Sequence, residues 1–223
     1  MSRNQADDGL ATSGVNEYFF DRVTNGYVSG SLKRTLDLGI ALSLVVFLLP
    51  AFTVIAVAIK FGSPGPVFFR QDRHGAGKRP FTCLKFRTMT VCEGAEDFVQ
   101  CQPCDVRVTA IGRLLRRTSL DELPQFFNVI MGSMSIVGPR PHAISHDEQF
   151  GPKVLGYDQR FLVKPGITGL AQVNGLRGPT DTVEIMARRI DADRRYVRDA
   201  SLLVDLKIML LTVPAVLGAK NAF

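Results

Sequence analysis

The longest uncharged stretch of the chain reads Leu38-Gly-Ile-Ala-Leu-Ser-Leu-Val-Val-Phe-Leu-Leu-Pro-Ala-Phe-Thr-Val-Ile-Ala-Val-Ala-Ile59. Its 22 residues would form a helix long enough to cross the hydrocarbon core of a bilayer. Pro50 lies in mid-run, where a proline removes a helical hydrogen bond and forces a kink. Lys33, Arg34 and Lys60 flank the two ends, and positive charge favours the cytoplasmic side. The pattern predicts a re-entrant helix that bends at Pro50 and leaves by the face it entered, with an ordinary membrane span as the alternative.

Composition and charge narrow the classes of protein further. The chain has 223 residues, 46% of them hydrophobic, and a formal net charge of +6. This hydrophobic content excludes an intrinsically disordered chain. Only one stretch is long enough to enter a bilayer, which excludes a multi-span transporter. The basic balance fits an anionic partner (nucleic acid, acidic lipid or a phosphorylated substrate) and does not choose among them.

The character of the sequence changes twice along the chain. Residues 1–28 are rich in Ser, Asn, Gly and Asp, which predicts a flexible tail, and they carry no secretory signal. Residues 29–61 contain the predicted membrane helix. Residues 62–223 are globular in character and predict a small domain of the α+β class, mostly helical.

Short apolar runs locate the elements of this domain. Two of them read as strands joined by a basic turn at 73–79, and four others have helical spacing. The strands are predicted at 67–69 and 81–86, and the helices at 111–115, 126–131, 182–197 and 201–217.

The C-terminal helix is apolar along one side. The positions that share this side are Leu202, Leu206, Met209, Leu210 and Val213. An amphipathic helix in the membrane interface fits this pattern, and a core helix of the domain fits it equally well.

Cysteines and histidines give little support for a metal site. Cys101-Gln-Pro-Cys104 has the C-x-x-C spacing of zinc and redox sites, but no second pair stands at a matching distance. We therefore expect the four cysteines at 83–104 to be reduced thiols in a loop. The three histidines, His74, His142 and His146, share no ligand spacing and are expected at the surface.

Arg113-Leu-Leu-Arg-Arg-Thr-Ser-Leu-Asp-Glu-Leu-Pro-Gln125 places adjacent carboxylates, Asp121 and Glu122, in the most basic part of the chain. Because Pro124 is poorly tolerated deep in a helix, we expect a helix to begin between 119 and 121. Ser119 and Glu122 would then have the spacing of a capping box, a purely structural role. The same stretch suits phosphoryl transfer: one carboxylate can attack phosphorus, its neighbour can bind Mg²⁺, and arginines can neutralise phosphates.

Eight motifs stand in a fixed order along the chain. They are Lys33-Arg34-x-x-Asp37, Gly65-Pro-Val-Phe-Phe-Arg-Gln71, Lys85-Phe-Arg-Thr-Met89, Arg107-Val-Thr109, Arg116-Arg-Thr-Ser-Leu-Asp-Glu-Leu-Pro-Gln125, Asn128-Val-x-x-Gly-x-Met-Ser-x-Val-Gly-Pro-Arg-Pro141, Lys164-Pro-Gly-Ile-Thr-Gly-Leu-Ala-Gln-Val-Asn-Gly175 and Ser201-x-x-x-Asp-Leu-Lys-Ile208. In this order they resemble the bacterial sugar transferase family, monotopic phosphoglycosyl transferases of the short type that begins exopolysaccharide synthesis. The resemblance covers nearly everything but the tail.

The resemblance implies roles for particular residues. The Asp of the Asp-Glu pair, here Asp121, is the nucleophile that forms a phosphosugar intermediate, and the Glu, here Glu122, takes part in binding Mg²⁺. The positions implied to bind substrate are Arg116, Arg140, Lys85, Arg87 and Asp193. The positions implied for the membrane element are Lys33, Arg34 and Pro50, with Leu49-Pro50 standing where the family usually has Ser-Pro.

The resemblance also implies a reaction and a place. A sugar 1-phosphate, with galactose favoured, passes from a UDP-sugar to undecaprenyl or another polyprenyl phosphate, and UMP is released. The catalytic domain at 62–223 would face the cytoplasm from the bacterial inner membrane, with a homodimer possible. The alternatives are a non-catalytic membrane-anchored scaffold and a module that binds anionic lipid or nucleic acid. Acidic residues within the basic stretch argue against nucleic acid, since they would repel its phosphates.

Overall fold

Helices make up most of the residues that the structure describes, and two small sheets complete an α+β fold, as predicted. The computed structural model describes residues 26–90, 105–178, 180 and 182–218. The helices in this part of the chain are α1 (Gly26–Ser29), α2 (Ser31–Phe47), α3 (Leu49–Gly62), α4 (Ala110–Thr118), α5 (Gln125–Met131), α6 (Ile144–Phe150), α7 (Leu170–Val173), α8 (Val183–Asp199) and α9 (Leu202–Leu217). The strands are β1 (Phe68–His74), β2 (Pro80–Phe86), β3 (Ser135–Val137) and β4 (Gly166–Thr168).

The apolar stretch forms two helices joined at a sharp bend. α2 and α3 meet at Leu48 with 61° between them. Pro50 lies in the first turn of α3, where its missing N–H leaves no helical bond unmade. The predicted break at Pro50 is therefore present. No single helix of the described chain is long and apolar enough to cross a bilayer, whereas the bent pair meets that criterion by length and composition.

The basic residues at the start of α2 face the domain. Lys33 is only 4% exposed, and its Nζ lies 2.7 Å from Asp205 Oδ2 of α9. Arg34 donates to the carbonyls of Val129 (2.6 Å) and Ile130 (2.9 Å) in the last turn of α5. The two residues brace α2 against α9 and α5.

The two sheets differ in direction and position. β1 and β2 pair antiparallel in a hairpin, with Phe68 opposite Phe86 and His74 opposite Pro80. β3 and β4 pair parallel, with Ser135 opposite Gly166. A Cβ on Gly166 would lie 2.1 Å from the backbone nitrogen of Gly138, so this close approach needs glycine. The parallel pair lies in the main core and ends at the turn that carries Arg140.

Apolar packing joins the bent helix pair to the domain. The main core lies between α2, α5, β3, α8 and α9 and includes Ala41, Val129, Met134 and Tyr196. A second cluster packs α3 on β2 and α4, with the Phe52 ring 5.4 Å from that of Phe86. The opposite side of α3 stays exposed, with Phe61 at its end 90% exposed.

The predicted helices of the domain are present, but the buried side of the last one differs from the prediction. The helices predicted at 111–115, 126–131, 182–197 and 201–217 are confirmed as α4, α5, α8 and α9. On α9, however, the buried residues are Asp205 and Ile208, while most of the predicted apolar face is exposed to solvent. The exposed leucines and valine of α9 are Leu203, Leu206, Leu210, Leu211 and Val213.

Two predictions about the first half of the chain also need correction. Cys83 is not in a loop: it lies in β2 as a buried free thiol, because the alternation of the strand turns it toward the core. Cys92, Cys101 and Cys104 lie outside the described residues, as do residues 1–25 of the predicted tail. Residues 26–28, at the end of that range, belong to α1.

Candidate active site

A short 3₁₀ turn, Leu120–Glu122, carries the adjacent carboxylates between α4 and α5. Ser119 ends α4 in the left-handed conformation (φ 59°), which turns the chain, and α5 begins only at Gln125 after Pro124. A helical turn thus begins between 119 and 121 as predicted, but it is a 3₁₀ turn and the α-helix starts only at Gln125. The capping box is not formed, since the Ser119 side chain makes no capping hydrogen bond and its Oγ accepts one from Arg177 (2.8 Å).

Cations from three separate parts of the chain surround the buried Glu122 carboxylate. Arg140 donates to both oxygens, at 2.5 Å to Oε1 and 3.1 Å to Oε2. Lys85 Nζ of β2 lies 2.9 Å from Oε1, and Arg177 Nη2 lies 3.9 Å from Oε2. Burial alone would raise the pKa of Glu122, but the charges of Arg140, Lys85 and Arg177 hold it well below its ordinary value. Glu122 is ionised and locked in place.

Asp121 has the opposite environment, although it is the next residue. Its carboxylate is only partly buried and has no hydrogen-bond or ion-pair partner in the described chain. Burial and the charge of Glu122 raise the pKa of Asp121, and Lys85, Arg140 and Arg116 oppose this only in part. Adjacent carboxylates with opposite pKa shifts are typical of sites where the two have different tasks.

A buried polar network lies behind Arg140. Arg160 donates to the Arg140 carbonyl, and its Nη2 lies 3.1 Å from Asp193 Oδ2 on α8. The same guanidinium contacts His142 and Tyr157, and Tyr157 donates to Asp147 at 2.7 Å. Burial raises the pKa of Asp193 to about 6, with Arg160 and Arg189 opposing. The network fixes the turn at 139–142 from the side away from Glu122.

Comparison with known proteins identifies the group to which this site belongs. Residues 28–219 match the profile of the family described as bacterial sugar transferase. The chain belongs to the bacterial sugar transferase family. It is 51% identical over 194 residues to a UDP-glucose:undecaprenyl-phosphate glucose-1-phosphate transferase of Klebsiella pneumoniae, covering 87% of this chain and 42% of that protein.

Two further relatives show the range of the family. A protein of the same name from Caulobacter vibrioides is 51% identical over 191 residues, which cover 86% of this chain and 72% of that protein. A UDP-N-acetylgalactosamine-undecaprenyl-phosphate N-acetylgalactosaminephosphotransferase of Aeromonas hydrophila is 39% identical over 194 residues, which cover 86% of this chain and 45% of that protein. The chain thus spans less than half the length of the Klebsiella and Aeromonas relatives.

The structure of this family member brings only some of the predicted site residues together. Lys85 and Arg140 each contact Glu122 directly, and Arg116 lies close enough to Asp121 to lower its pKa. Arg116 itself donates through Nε to Thr88 Oγ1 at 2.9 Å.

Arg87 and Asp193 are placed differently. Arg87 is buried and donates to the carbonyls of Ser63 and Pro64, so it holds the end of α3. Asp193 is 1% exposed and faces Arg160. The prediction that these two residues contact substrate is not supported by their placement, because neither side chain reaches the surface beside Glu122; both act as braces.

The histidines are also placed differently from the prediction. His142 is buried in the polar network, and the His74 ring lies 2.9 Å from Asp147 Oδ2. His146 is half-buried, with its ring 6.4 Å from that of His142. The expectation that all three lie at the surface is wrong, because tertiary contacts with residues 15 to 73 positions away along the chain enclose His142 and His74.

Sequence reasoning missed Arg177 as a site residue. It lies between Gly175 and Gly178 in a segment that the sequence marks only as a turn. The available signal was a basic side chain within a glycine-punctuated loop, and such a loop does not disclose which carboxylate its arginine will face.

The carboxylates present suit a Mg²⁺ ion that protein and substrate phosphates would coordinate together, rather than one enclosed by protein ligands alone. In the described chain, no three His, Cys, Asp or Glu residues converge as a metal cage. Mg²⁺ commonly uses one or two carboxylates together with substrate phosphates, and Asp121 and Glu122 supply that number. Glu122 Oε1 accepts two hydrogen bonds and Oε2 only one, which leaves an acceptor position on Oε2. Glu122 as a Mg²⁺ ligand stays a prediction.

Proposed function

We propose that this chain transfers a sugar 1-phosphate from a UDP-sugar to undecaprenyl phosphate and releases UMP. The observation that carries the proposal is the contrast between Glu122, which three cations hold, and Asp121, which has no partner in the described chain. A nucleophile must have an oxygen free to reach phosphorus, and Asp121 is the carboxylate of the pair that no cation holds in the described chain. The names and identities of the relatives support the same reaction.

The proposed reaction proceeds in two displacements. An Asp121 oxygen attacks the phosphorus that carries the sugar, forming an aspartyl phosphosugar, and the bond to UMP breaks as UMP leaves with the electron pair. A phosphate oxygen of the lipid then attacks the same phosphorus and releases the Asp121 carboxylate. When bound, Mg²⁺ would neutralise charge on the transferring phosphates.

Cations of the site prepare it for a pyrophosphate. Lys85, Arg140, Arg177 and Arg116 carry four positive charges around the two carboxylates, which leaves an excess of positive charge. Transferring phosphoryl groups are stabilised mainly by positioning and by such fixed charges. We assign these four residues to the phosphates of the donor.

We propose glucose as the donor sugar to test first. Relatives at 50–51% identity carry UDP-glucose in their names, and the N-acetylgalactosamine relative is 39% identical. The comparisons give no support to galactose, which the sequence analysis favours, so galactose becomes the competing donor. UDP-glucose and UDP-galactose differ at one stereocentre, so the two must be compared side by side.

The acceptor implies a membrane, and two exposed apolar surfaces suit one. One is the outer side of α3, where Val54, Val57 and Phe61 are exposed, and the other is the exposed side of α9. Contiguous exposed apolar surface of this kind marks membrane or partner contacts. We propose that α2 and α3 form a re-entrant element in the bacterial cytoplasmic membrane, with the site on the cytoplasmic side.

The test is the intact mass of the full chain after incubation with Mg²⁺ and single UDP-sugars, without lipid. We expect an adduct of one hexose phosphate with UDP-glucose, and no adduct for Asp121→Asn. Asp199→Asn, an exposed carboxylate on α8, is the matched control and should form the adduct normally.

Other outcomes of this experiment separate the alternatives. No adduct, followed by UMP release when undecaprenyl phosphate is added, would contradict the covalent step and favour direct transfer. No UMP under any condition would favour the non-catalytic scaffold.

A further inference from the structure

Few packing contacts hold the loop at 174–178 that carries Arg177. A Cβ added to Gly175 or Gly178 would meet no atom within 4 Å, and Asn174 and Gly175 are exposed. Gly175 and Leu176 donate backbone hydrogen bonds to α7 at the start of the loop. Yet Arg177 reaches Ser119 at 2.8 Å and Glu122 at 3.9 Å. Something beyond apolar packing must fix the second half of the loop.

Arg189 of α8 supplies that contact. Its side chain is buried (5% exposed), and Nη2 donates to the Gly178 carbonyl at 2.7 Å, directly after Arg177. Nη1 lies 3.5 Å from His142 Nε2, in the turn that carries Arg140. Nε is buried and has no hydrogen-bond partner among the described residues, so the hydrogen bonds of the guanidinium go to the loop and the turn.

Burial and neighbouring positive charges make the charged form of Arg189 energetically unfavourable at this position. Burial, and then the charges of Arg140 and Arg160, lower its pKa to about 10, with Asp193 opposing. The guanidinium is nevertheless protonated near neutral pH, and a charged donor to a carbonyl makes one of the stronger hydrogen bonds in proteins. The contact with Gly178 is therefore a firm anchor for an otherwise loosely packed loop.

We infer that Arg189 is a positioning residue, which holds the 174–178 loop so that Arg177 faces Glu122 and the donor phosphates. The inference rests on the proposed function for its consequence, since Arg177 matters for turnover only if the site binds a phosphorylated donor. Arg189 itself does not contact the two carboxylates. Its hydrogen bonds go to Gly178 and His142, not to Asp121 or Glu122. On this inference its effect on turnover passes through Arg177 rather than through the His142 turn that carries Arg140.

A double-mutant cycle tests this dependence. We expect Arg177→Met and Arg189→Met each to lower kcat/KM for UDP-glucose by about ten- to hundredfold, as small misplacements in active sites do. When Arg177→Met is already present, adding Arg189→Met should lower kcat/KM by less than a further factor of about two, because the effects of coupled residues are not additive. Arg189→Lys keeps the charge and should recover part of the activity. Arg188→Met, the exposed neighbour on α8, is the matched control and should behave like the wild type.

Hydrogen exchange of residues 174–178 gives a readout that does not depend on activity. We expect Arg189→Met to speed exchange of these amides by about tenfold or more, in line with loss of a charge-assisted hydrogen bond. The rest of the domain, and Arg188→Met throughout, should exchange as the wild type does.

Each outcome decides a separate point. Unchanged exchange in the loop, or losses that multiply in the double variant, would overturn the inference. A wild-type chain that releases no UMP would overturn the proposed function, while the exchange result would still judge the role of Arg189.

Discussion

At the scale of single residues, the shape of the Arg140 guanidinium matters as much as its charge. Its two terminal nitrogens meet both oxygens of Glu122, an arrangement that one ammonium group cannot make. Arg160 fixes the Arg140 backbone from behind. The position of Glu122, and through the shared 3₁₀ turn that of Asp121, therefore depends on a forked donor at this point.

We expect Arg140→Lys to lower kcat/KM for the UDP-sugar by about tenfold to hundredfold, because the lost second bond frees the carboxylate to move. UMP release at several donor concentrations measures the change. Arg117→Lys, an exposed arginine on α4, serves as the control and should stay within about twofold. An Arg140→Lys variant that stays within about twofold, like the control, would show that the positive charge, not the forked shape, is what the site requires.

The buried Asp193 carboxylate should make stability depend on pH. Its pKa is raised from 3.8 to about 6 by burial, so between these values the folded chain binds more protons than the unfolded chain. The free energy of unfolding must then fall as the pH rises through this window and level off above it. Below about pH 4 the carboxyl is protonated in both states and imposes no penalty.

We therefore expect the wild type to lose roughly 2–3 kcal/mol relative to Asp193→Asn between pH 4 and pH 7. Denaturant unfolding of both proteins in the same detergent measures the difference, in which other titrating groups cancel. A difference that stays constant over this range would mean that Asp193 titrates at its ordinary pKa.

At the scale of elements, one buried ion pair joins the two ends of the described chain. Asp205 of α9 accepts from Lys33 of α2 (2.7 Å), from Tyr27 of α1 (2.8 Å) and from Tyr196 of α8 (2.9 Å). Lys33 also donates to the Val137 carbonyl of β3 at 3.2 Å. Four helices thus meet at a single carboxylate, and Lys33 ties β3 to the same cluster.

Removing one partner of such a pair leaves the other charge buried and alone. We expect Lys33→Met to lower the free energy of unfolding by about 3–5 kcal/mol. Lys60→Met, an exposed lysine at the end of α3, is the control and should change it by less than about 0.5 kcal/mol. Denaturant midpoints in detergent compare the two, and similar small shifts for both would contradict a structural role for the pair.

The elements could be predicted from the sequence, whereas most of their contacts could not. Apolar periodicity located α4, α5, α8 and α9, and Pro50 located the bend, whereas the first strand, predicted at 67–69, runs from Phe68 to His74. Lys33 shows the limit: a lysine before an apolar helix looks like a membrane flank until α9, 172 residues further on, brings Asp205 to it.

In the candidate site, too, residues marked by local sequence signals could be predicted, and residues that depend on tertiary contacts could not. The pair Asp121 and Glu122 stands out by its own chemistry, and Arg116 and Arg140 by the motifs around them. Arg177 and Arg189 could not be assigned, because their roles depend on where a loop and a helix face lie relative to Glu122 after folding.

At the scale of the whole molecule, the bent pair of α2 and α3 determines how the chain can meet a bilayer. A 61° bend at Leu48, with Lys33 and Arg34 anchored to the domain at one end, favours return to the same side. The other end is tied as well, since Arg87 holds the carbonyls of Ser63 and Pro64. Both ends of the pair are therefore fastened to one folded body.

We expect thiol reporters at Ser31 and Ser63, in a background without the native cysteines, to react from the same side of sealed vesicles. An impermeant reagent should label both or neither, depending on the orientation of the vesicles. A reporter that labels at Ser31 from one side and at Ser63 from the other would contradict the re-entrant arrangement and establish an ordinary span.

The hydrogen bonds from Arg34 to the end of α5 fix the distance between α2 and the candidate site. Arg34 binds the carbonyls at the end of α5, and α5 begins three positions after Glu122. A helix of seven residues, about 10 Å long, is thus a fixed spacer between α2 and the pair Asp121 and Glu122. If α2 and α3 enter the membrane as proposed, this spacer sets the height above the bilayer at which a lipid phosphate could reach Asp121.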